Sequence, residues 1–347
     1  MVHTEQRLRR RRQATLVLLG LLGISTVLAL AMGSVSLPPA TVWKALTGGE
    51  VPQHLALIIH SIRIPRALLA ASVGAILAVC GAILQGLFRN PLADPSLIGV
   101  TAGASVGASL MIMFGAGLGA ALGGVAGLSL ISLGAFSGGL LAVWLVYRVA
   151  TSVNGTSVAT MLLMGIAVSA LAASATGLLD YVADNEMLRR MSLWRMGGLE
   201  GANFPRAGLA AALLLLLLVA LPAFGRALNT LLLGESQARH LGIDVERLKT
   251  RLILLVAAGV GLSVAVSGSI AFVGLVVPHM VRLWVGPDHR VLLPLCALGG
   301  AVLLLLADVL ARTVMAPAEL PVGLITALLG APFFISLLRH RRREGSE

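Results

Sequence analysis

The sequence predicts an all-α integral membrane protein, a single transmembrane domain over residues 1–347, and three observations carry that expectation. Of the 347 residues 57% are hydrophobic and only 12% charged, with a mean hydropathy of +0.94. No water-soluble domain of this length buries so large an apolar fraction. Apolar runs of about 18 residues or more recur along nearly the whole chain, which is the length a hydrocarbon core of roughly 30 Å asks of a helix. The period-two alternation of a membrane barrel is missing, and in lipid only helices and closed barrels satisfy their own backbone.

Ten helices are expected. The first, 14–33, follows the basic run Arg7 to Arg12; it has the charge order of a signal peptide but is long enough to span, so it reads as a retained helix preceded by a cytosolic tail over 1–13. The second, 66–86, starts at "RIPR". The third, 96–114, carries Gly99, Gly103 and Gly107 at the four-residue spacing that lets helices approach closely. The fourth, 119–147, is overlong for one span, and the fifth, 156–178, places Met161 and Met164 on one side. The sixth (207–225) and seventh (247–267) flank a polar island, and the eighth, 270–285, is short and interrupted by Gly and Pro, as around an unwound pathway. The ninth, 291–311, and tenth, 320–338, lead to a second basic tail at 339–347. An even number puts both ends on one side, and eighteen of the 26 Lys and Arg residues then fall there, which makes that side cytosolic. The net charge of +11 is thus a matter of topology rather than of a nucleic-acid partner. Cys80 and Cys296 lie within apolar segments and read as packing residues; no metal site is indicated.

Four polar stretches interrupt this pattern. The island "LLLGESQARHLGIDVERLKTRLILL" contains a short helix from Gly234 to Gly242, with Glu235 near its positive end, Gly242 as its stop, and Ala238 and Leu241 on one small apolar face. Residues alone fit either a docking helix or a solvated loop. In "RNPLADPSLIG", Pro91 and Pro95 forbid a continuous helix and Asp94 is placed to cap the next one; Asn90 is a gate candidate in an otherwise rigid turn. Arg63, Arg66 and Arg312 stand at the outer helix ends, where they serve either as lipid-snorkelling cations or as a docking site. The outer segment Asp180 to Arg206 has the partly amphipathic set Leu188, Met191, Leu193 and Trp194, as in an interfacial helix.

"LGESQARHLGI", "RIPRALLAASVGAILAVCGAILQGLFRNPLADPSLIGVTAGASVGA", "SGSIAFVGLVVPHMVRLWVGPDHR" and "ELPVGLITALLGAPFFISLL" together resemble the FecCD family of bacterial permeases, over about residues 60–338. These are membrane subunits of ABC importers for ferric siderophores, haem and cobalamin. The resemblance implies a type II importer permease fold in the inner membrane, a second copy of the chain, two ATPase subunits and a periplasmic substrate-binding protein. It makes 234–243 the coupling helix, with Glu235, Ala238, Leu241 and Gly242 engaging the ATPase, and it makes Arg63, Arg66 and Arg312 the receivers of acidic residues from the binding protein. It places Asn90, Pro91 and Asp94 near the cytoplasmic end of the path, where Met161 and Met164 are pore-lining candidates against ordinary packing. "YVADNEMLRRMSLWRMGGLEGANF" looks more like the haem members, which raises His279 and His289 as transient axial ligands against a capping role. No catalytic residue and no cofactor belongs to this chain on that reading; ATP and Mg sit on the ATPase. The sequence has no G-x-x-x-x-G-K-[ST] motif of its own.

Rival classes fare worse. An ion-coupled secondary transporter wants intramembrane carboxylates, and only Asp308 lies inside a helix. A membrane enzyme wants converging polar groups, and neither H-E-x-x-H nor G-x-S-x-G occurs.

Overall fold

The computed structural model describes residues 2–121, 130–153 and 155–344. In chain order its helices are α1 (Val2–Ala31), α2 (Pro39–Leu46), α3 (Gln53–Leu57), α4 (Ile64–Leu87), α5 (Val100–Ala121), α6 (Leu130–Ala150), α7 (Val158–Val182), α8 (Asn185–Met196), α9 (Phe204–Leu231), α10 (Glu235–His240), α11 (Val245–Ser267), α12 (Val273–Val285), α13 (His289–Thr313) and α14 (Val322–Glu344). A π-helical turn, Ile58–Arg63, joins α3 to α4, so residues 53–87 run as one continuous helical stretch. Nine of the ten expected segments each overlap one of these helices; the exception is 119–147. Among the described residues, seven stretches are long and apolar enough to cross a membrane, and Val100–Gly115, Val273–Val285 and Val322–Ser336 are shorter apolar helices.

The elements add detail to the expectation. The helices run on into both basic tails: α1 begins at Val2 and α14 continues to Glu344, because Arg is a good helix former that extends the apolar helix. Of the overlong segment 119–147, residues 119–121 belong to α5 and 130–147 to α6; 122–129 lie outside the described residues. Among the described residues the fold is all-helical as expected, apart from one minimal hairpin. Thr151–Ser152 (β1) and Gly155–Thr156 (β2) pair antiparallel, Thr151 opposite Thr156, between α6 and α7.

Hydropathy does not say which helix is central. Residues 53–87 and α9 have nearly equal mean hydropathy, 2.5 and 2.6, yet 89% of the first window is buried within the chain and 22% of the second. α4 is ringed by α9, α11, α12 and α13. Its Ala-, Gly- and Ser-rich sequence is the reason. Gly74 lies against the Gly300 carbonyl of α13 and Gly81 against the Gly274 carbonyl of α12, with no room for a Cβ at either crossing. The leucine run of α9 instead leaves Leu215, Leu216 and Val219 facing outward, where lipid accepts them without cost. Gly103 and Gly107 do form a close crossing, onto Gly138 and Gly134 of α6, but Gly99 does not share that face: at φ 78 it caps the 3-10 turn Pro95–Ile98.

Candidate functional site

α10 is six residues long, too short to hold its shape by its own hydrogen bonds. It is held by ion pairs to the start of α11. Lys249 is buried at 3% exposure, and its ammonium donates to Glu235 Oε2 at 2.8 Å, to Glu246 Oε1 at 3.2 Å and to the Thr156 carbonyl at 2.9 Å. The Thr156 backbone N–H in turn donates to Glu246 Oε2 at 2.8 Å, which brings the β1–β2 hairpin into the same group. Arg239 lies 3.7 Å from both Glu235 and Glu246. One buried ammonium thus ties the connection after α6, the helix α10 and the helix α11 into one body.

The four expected coupling residues are therefore split by role. Glu235 is an anchor and Gly242, at φ 83, makes the turn out of the helix. Ala238 and Leu241 do not share an outward face: Ala238 is fully buried against the chain, and Leu241, 66% exposed, projects from it. The correction has a simple cause, since α10 ends at His240 and Leu241 already has non-helical backbone angles. Lys249, Glu246 and Thr156 were not anticipated; the Glu246/Lys249 spacing of three was the available signal.

Beside this body, Gln85, Arg89, Pro91, His279, Arg282 and His289 line a cavity of about 420 Å³. The two candidate histidines, one in α12 and one at the start of α13, border one space. His279 packs edge-on to Phe333, ring centroids 6.2 Å apart. His289, 1% exposed, has Nδ1 3.0 Å from Asn229 Oδ1, and the same oxygen accepts its backbone N–H at 2.8 Å. Asn229 also donates to Asp288 at 2.7 Å, and Arg11 reaches the other Asp288 oxygen at 2.8 Å. Burial alone would raise the Asp288 carboxyl, but the Asn229 side-chain amide, the Arg290 backbone N–H and the Arg11 guanidinium outweigh it and hold the group below the usual carboxylate range.

In the proline loop, Asp94 accepts from the Ser96 N–H at 2.8 Å, the capping bond expected of it, and exposed Asn90 accepts from Leu92 at 2.9 Å in a similar local turn. Pro91 lines the cavity mouth. Met161 is 1% exposed and Met164 packs partly buried against the core, so in this structure both act as filling.

At the opposite end the three arginines do not point outward. Arg63, Arg66 and Arg312 are 4%, 6% and 5% exposed. Arg66 pairs with Asp308 at 2.9 Å and with Glu319 at 2.7 Å. Arg312 pairs with the other Asp308 oxygen at 3.0 Å and donates to the Met32 and Ala29 carbonyls at the end of α1. Arg63 donates to the Leu30 and Val35 carbonyls. Gly33 is what admits the two guanidiniums there, since a Cβ at that position would lie 3.2 Å from Arg312 Nη1. The inward turn follows from electrostatics: the free carbonyls at the end of α1 and a fully buried carboxylate attract cations that lipid would not solvate. A partner's carboxylate docking at Arg66 would compete with Asp308 and Glu319. The same pairing compensates the charge of Asp308, which leaves it unsuited to ion coupling.

The outer segment forms α8 as expected, capped by Asp184, whose side chain accepts from Met187 N–H at 2.8 Å. Met191 is its buried contact. The helix ends at Gly197, φ 71, and the next amide, Gly198, donates to the Ser267 carbonyl at 2.8 Å while Gly197 accepts from Gly323 at 3.2 Å, so the ends of α8, α11 and α14 meet.

A bundle with a short helix pinned at one face is a shape many membrane proteins could share; sequence comparison decides among them. The model of the FecCD transport family matches residues 21–340. The chain belongs to the FecCD family. It is 45% identical over 339 residues to the hemin transport system permease protein HmuU of Yersinia pestis, covering 97% of this chain and 99% of that one. It is 44% identical to the cobalamin import system permease protein BtuC of Halobacterium salinarum, over 86% of this chain and 80% of the relative. Among solved structures, a metal-chelate-type ABC transporter in an inward-facing conformation superposes with a TM-score of 0.81 at 34% identity, over 94% of this chain and 98% of that one. This FecCD chain is accordingly a multi-pass permease of ABC-transporter type, and α10 with its anchors occupies a face that membership of the family makes functionally interesting.

Proposed function

We propose that the chain is the membrane permease of an ATP-driven importer that carries haem across the bacterial inner membrane. It works as a homodimer of ten-crossing subunits with both termini cytosolic, two ATPase subunits on the α10 face and a periplasmic binding protein opposite. The observation that carries the coupling half of this reading is α10 itself. Its inner side is fastened through Glu235, Ala238 and Lys249, while Leu241 is left exposed to seat in a groove of the ATPase. A push on α10 cannot be absorbed locally, because the helix shares one buried ammonium with α11 and the hairpin; it is passed to the spans. ATP binding and hydrolysis on the partner then alternate access of a path at the dimer axis. Chemistry on the nucleotide, with its Mg, belongs to that partner.

Support for haem comes from the near full-length likeness to the hemin permease and from the residues 181–204 that resemble haem members. His279 and His289 border one cavity on the exit side, where imidazoles suit brief contact with a passing metal chelate. A ferric siderophore or cobalamin is the alternative cargo, since a cobalamin permease is nearly as similar. The test is uptake into proteoliposomes holding the chain with its ATPase and binding protein, offered haem, a ferric siderophore and cobalamin with and without ATP. ATP-dependent haem accumulation is expected. Accumulation of another chelate would retain the importer and discard haem, and uptake indifferent to ATP would overturn the importer.

A further inference from the structure

On the same face as α10, the first turns of α1 and α13 and the last turns of α9 enclose a groove of about 490 Å³ open to the surface of the bundle. Its wall is apolar: Leu218, Leu221 and Pro222 from α9 face Pro294 from α13. Its rim is cationic, with Arg11, Arg226 and Arg290. Arg11 is engaged by Asp288, but Arg226 and Arg290 are exposed and have no ion pair among the described residues. One carboxylate against three guanidiniums leaves a net surplus of positive charge above an apolar slot.

We infer that this groove binds an anionic phospholipid, the phosphate at Arg226 and Arg290 and an acyl chain along Leu218 and Leu221. The charge order matches that ligand and not a free anion. A small oxyanion would use the rim and leave the slot empty, whereas a phospholipid places a phosphate and a hydrocarbon chain in the same sequence as the rim and the wall. Basic pockets between spanning helices on the side rich in positive charge are sites of this kind. A proline adds polar recognition at the rim: Pro294 lies inside its helix and lacks the N–H that would close onto the carbonyl of Arg290, so a backbone acceptor beside the phosphate site is freed for a hydroxyl group of a glycerol-type headgroup. The inference rests on the groove alone and is independent of which chelate is carried.

The experiment is thermal unfolding of the purified full-length permease in mild detergent with added cardiolipin, phosphatidylglycerol or phosphatidylcholine. At saturating lipid the anionic species should raise the midpoint by about 5 °C. Phosphatidylcholine and inorganic phosphate should leave it unchanged, and the double substitution Arg226→Gln/Arg290→Gln should remove most of the shift. Equal stabilisation by phosphatidylcholine, a comparable shift with inorganic phosphate, or an undiminished shift in the double variant would overturn it. Should the variant not fold, photo-crosslinking of wild-type protein with a diazirine-acyl phosphatidylglycerol decides: the label belongs on the Leu218–Pro222 peptide, and labelling spread evenly over the outward leucines of α9 would refute the site.

Discussion

The two ends of the bundle each hold a cluster of charges, and they are built differently. At the end away from α10, Asp308 and its arginines are almost wholly buried, with side-chain exposures of 0%, 7% and 6% for Asp308, Arg66 and Arg312. At the α10 end, Lys249 is as deeply buried, 4%, but its partners Glu235 and Glu246 are 30% and 36% exposed. The first cluster fastens α1, α4 and α13 at a fixed place; the second has a buried pivot and solvated outer arms. A lock and a lever use the same chemistry, and the difference is how much water the partners keep.

Substitutions should separate the two. Asp308→Ala takes the shared buried carboxylate from two guanidiniums, leaving Arg66 with Glu319 and Arg312 with carbonyls alone, and should cost about 3–5 kcal/mol, read as loss of folded protein in detergent-based thermal unfolding; a variant as stable as wild type would break the description of that end as a lock. Lys249→Met frees only half-solvated carboxylates and one carbonyl, so the cost should be about 1–2 kcal/mol, while ATP-dependent uptake falls at least about tenfold because α10 loses its anchor. Unaltered uptake in a folded Lys249→Met protein would remove the lever. The Arg11–Asp288 pair, exposed at 32% and 31%, continues the series toward water. Because the Asp288 carboxyl is held below its ordinary value, its contribution is complete above about pH 4 and fades as pH falls through the lowered folded value. Asp288→Asn should therefore lower stability modestly at neutral pH and flatten the acid limb of a Tm-versus-pH curve; an acid limb parallel to wild type would contradict the assignment. Smallest in stability is Leu241→Arg, at a side chain already exposed. Tm should stay within about 1 °C of wild type, yet ATPase association and uptake should be lost, and retained association would show that Leu241 is not the seated residue.

Much of this molecule was legible beforehand, and the physical reason is locality. The positions of most of the apolar segments, the cap at Asp94, the break at Pro91 and the short helix after Gly234 all depend on residues within a turn or two of one another. The site was less legible. That Ala238 turns inward while Leu241 turns outward is decided by where α10 ends, a matter of one residue. Lys249 looked like one basic residue among many on its side, because its partners in the β1–β2 hairpin lie 93 positions away. His279 and His289 come to one cavity only because α12 and α13 fold back against α4.

By itself, then, the sequence determined that the chain lives in a membrane, where most of its apolar helices lie and, through several motifs, to which transporter family it belongs, since hydropathy and motif order survive without any contact. Only the tertiary structure decided which equally apolar helix becomes the core and which turns its leucines outward, and which groups of the chain a given arginine pairs with. Arg66 and Asp308 stand 242 residues apart, and no local property of either reveals the other. An ion pair is a relation between surfaces that packing brings together, and its partner is fixed only when the helices carrying both have docked.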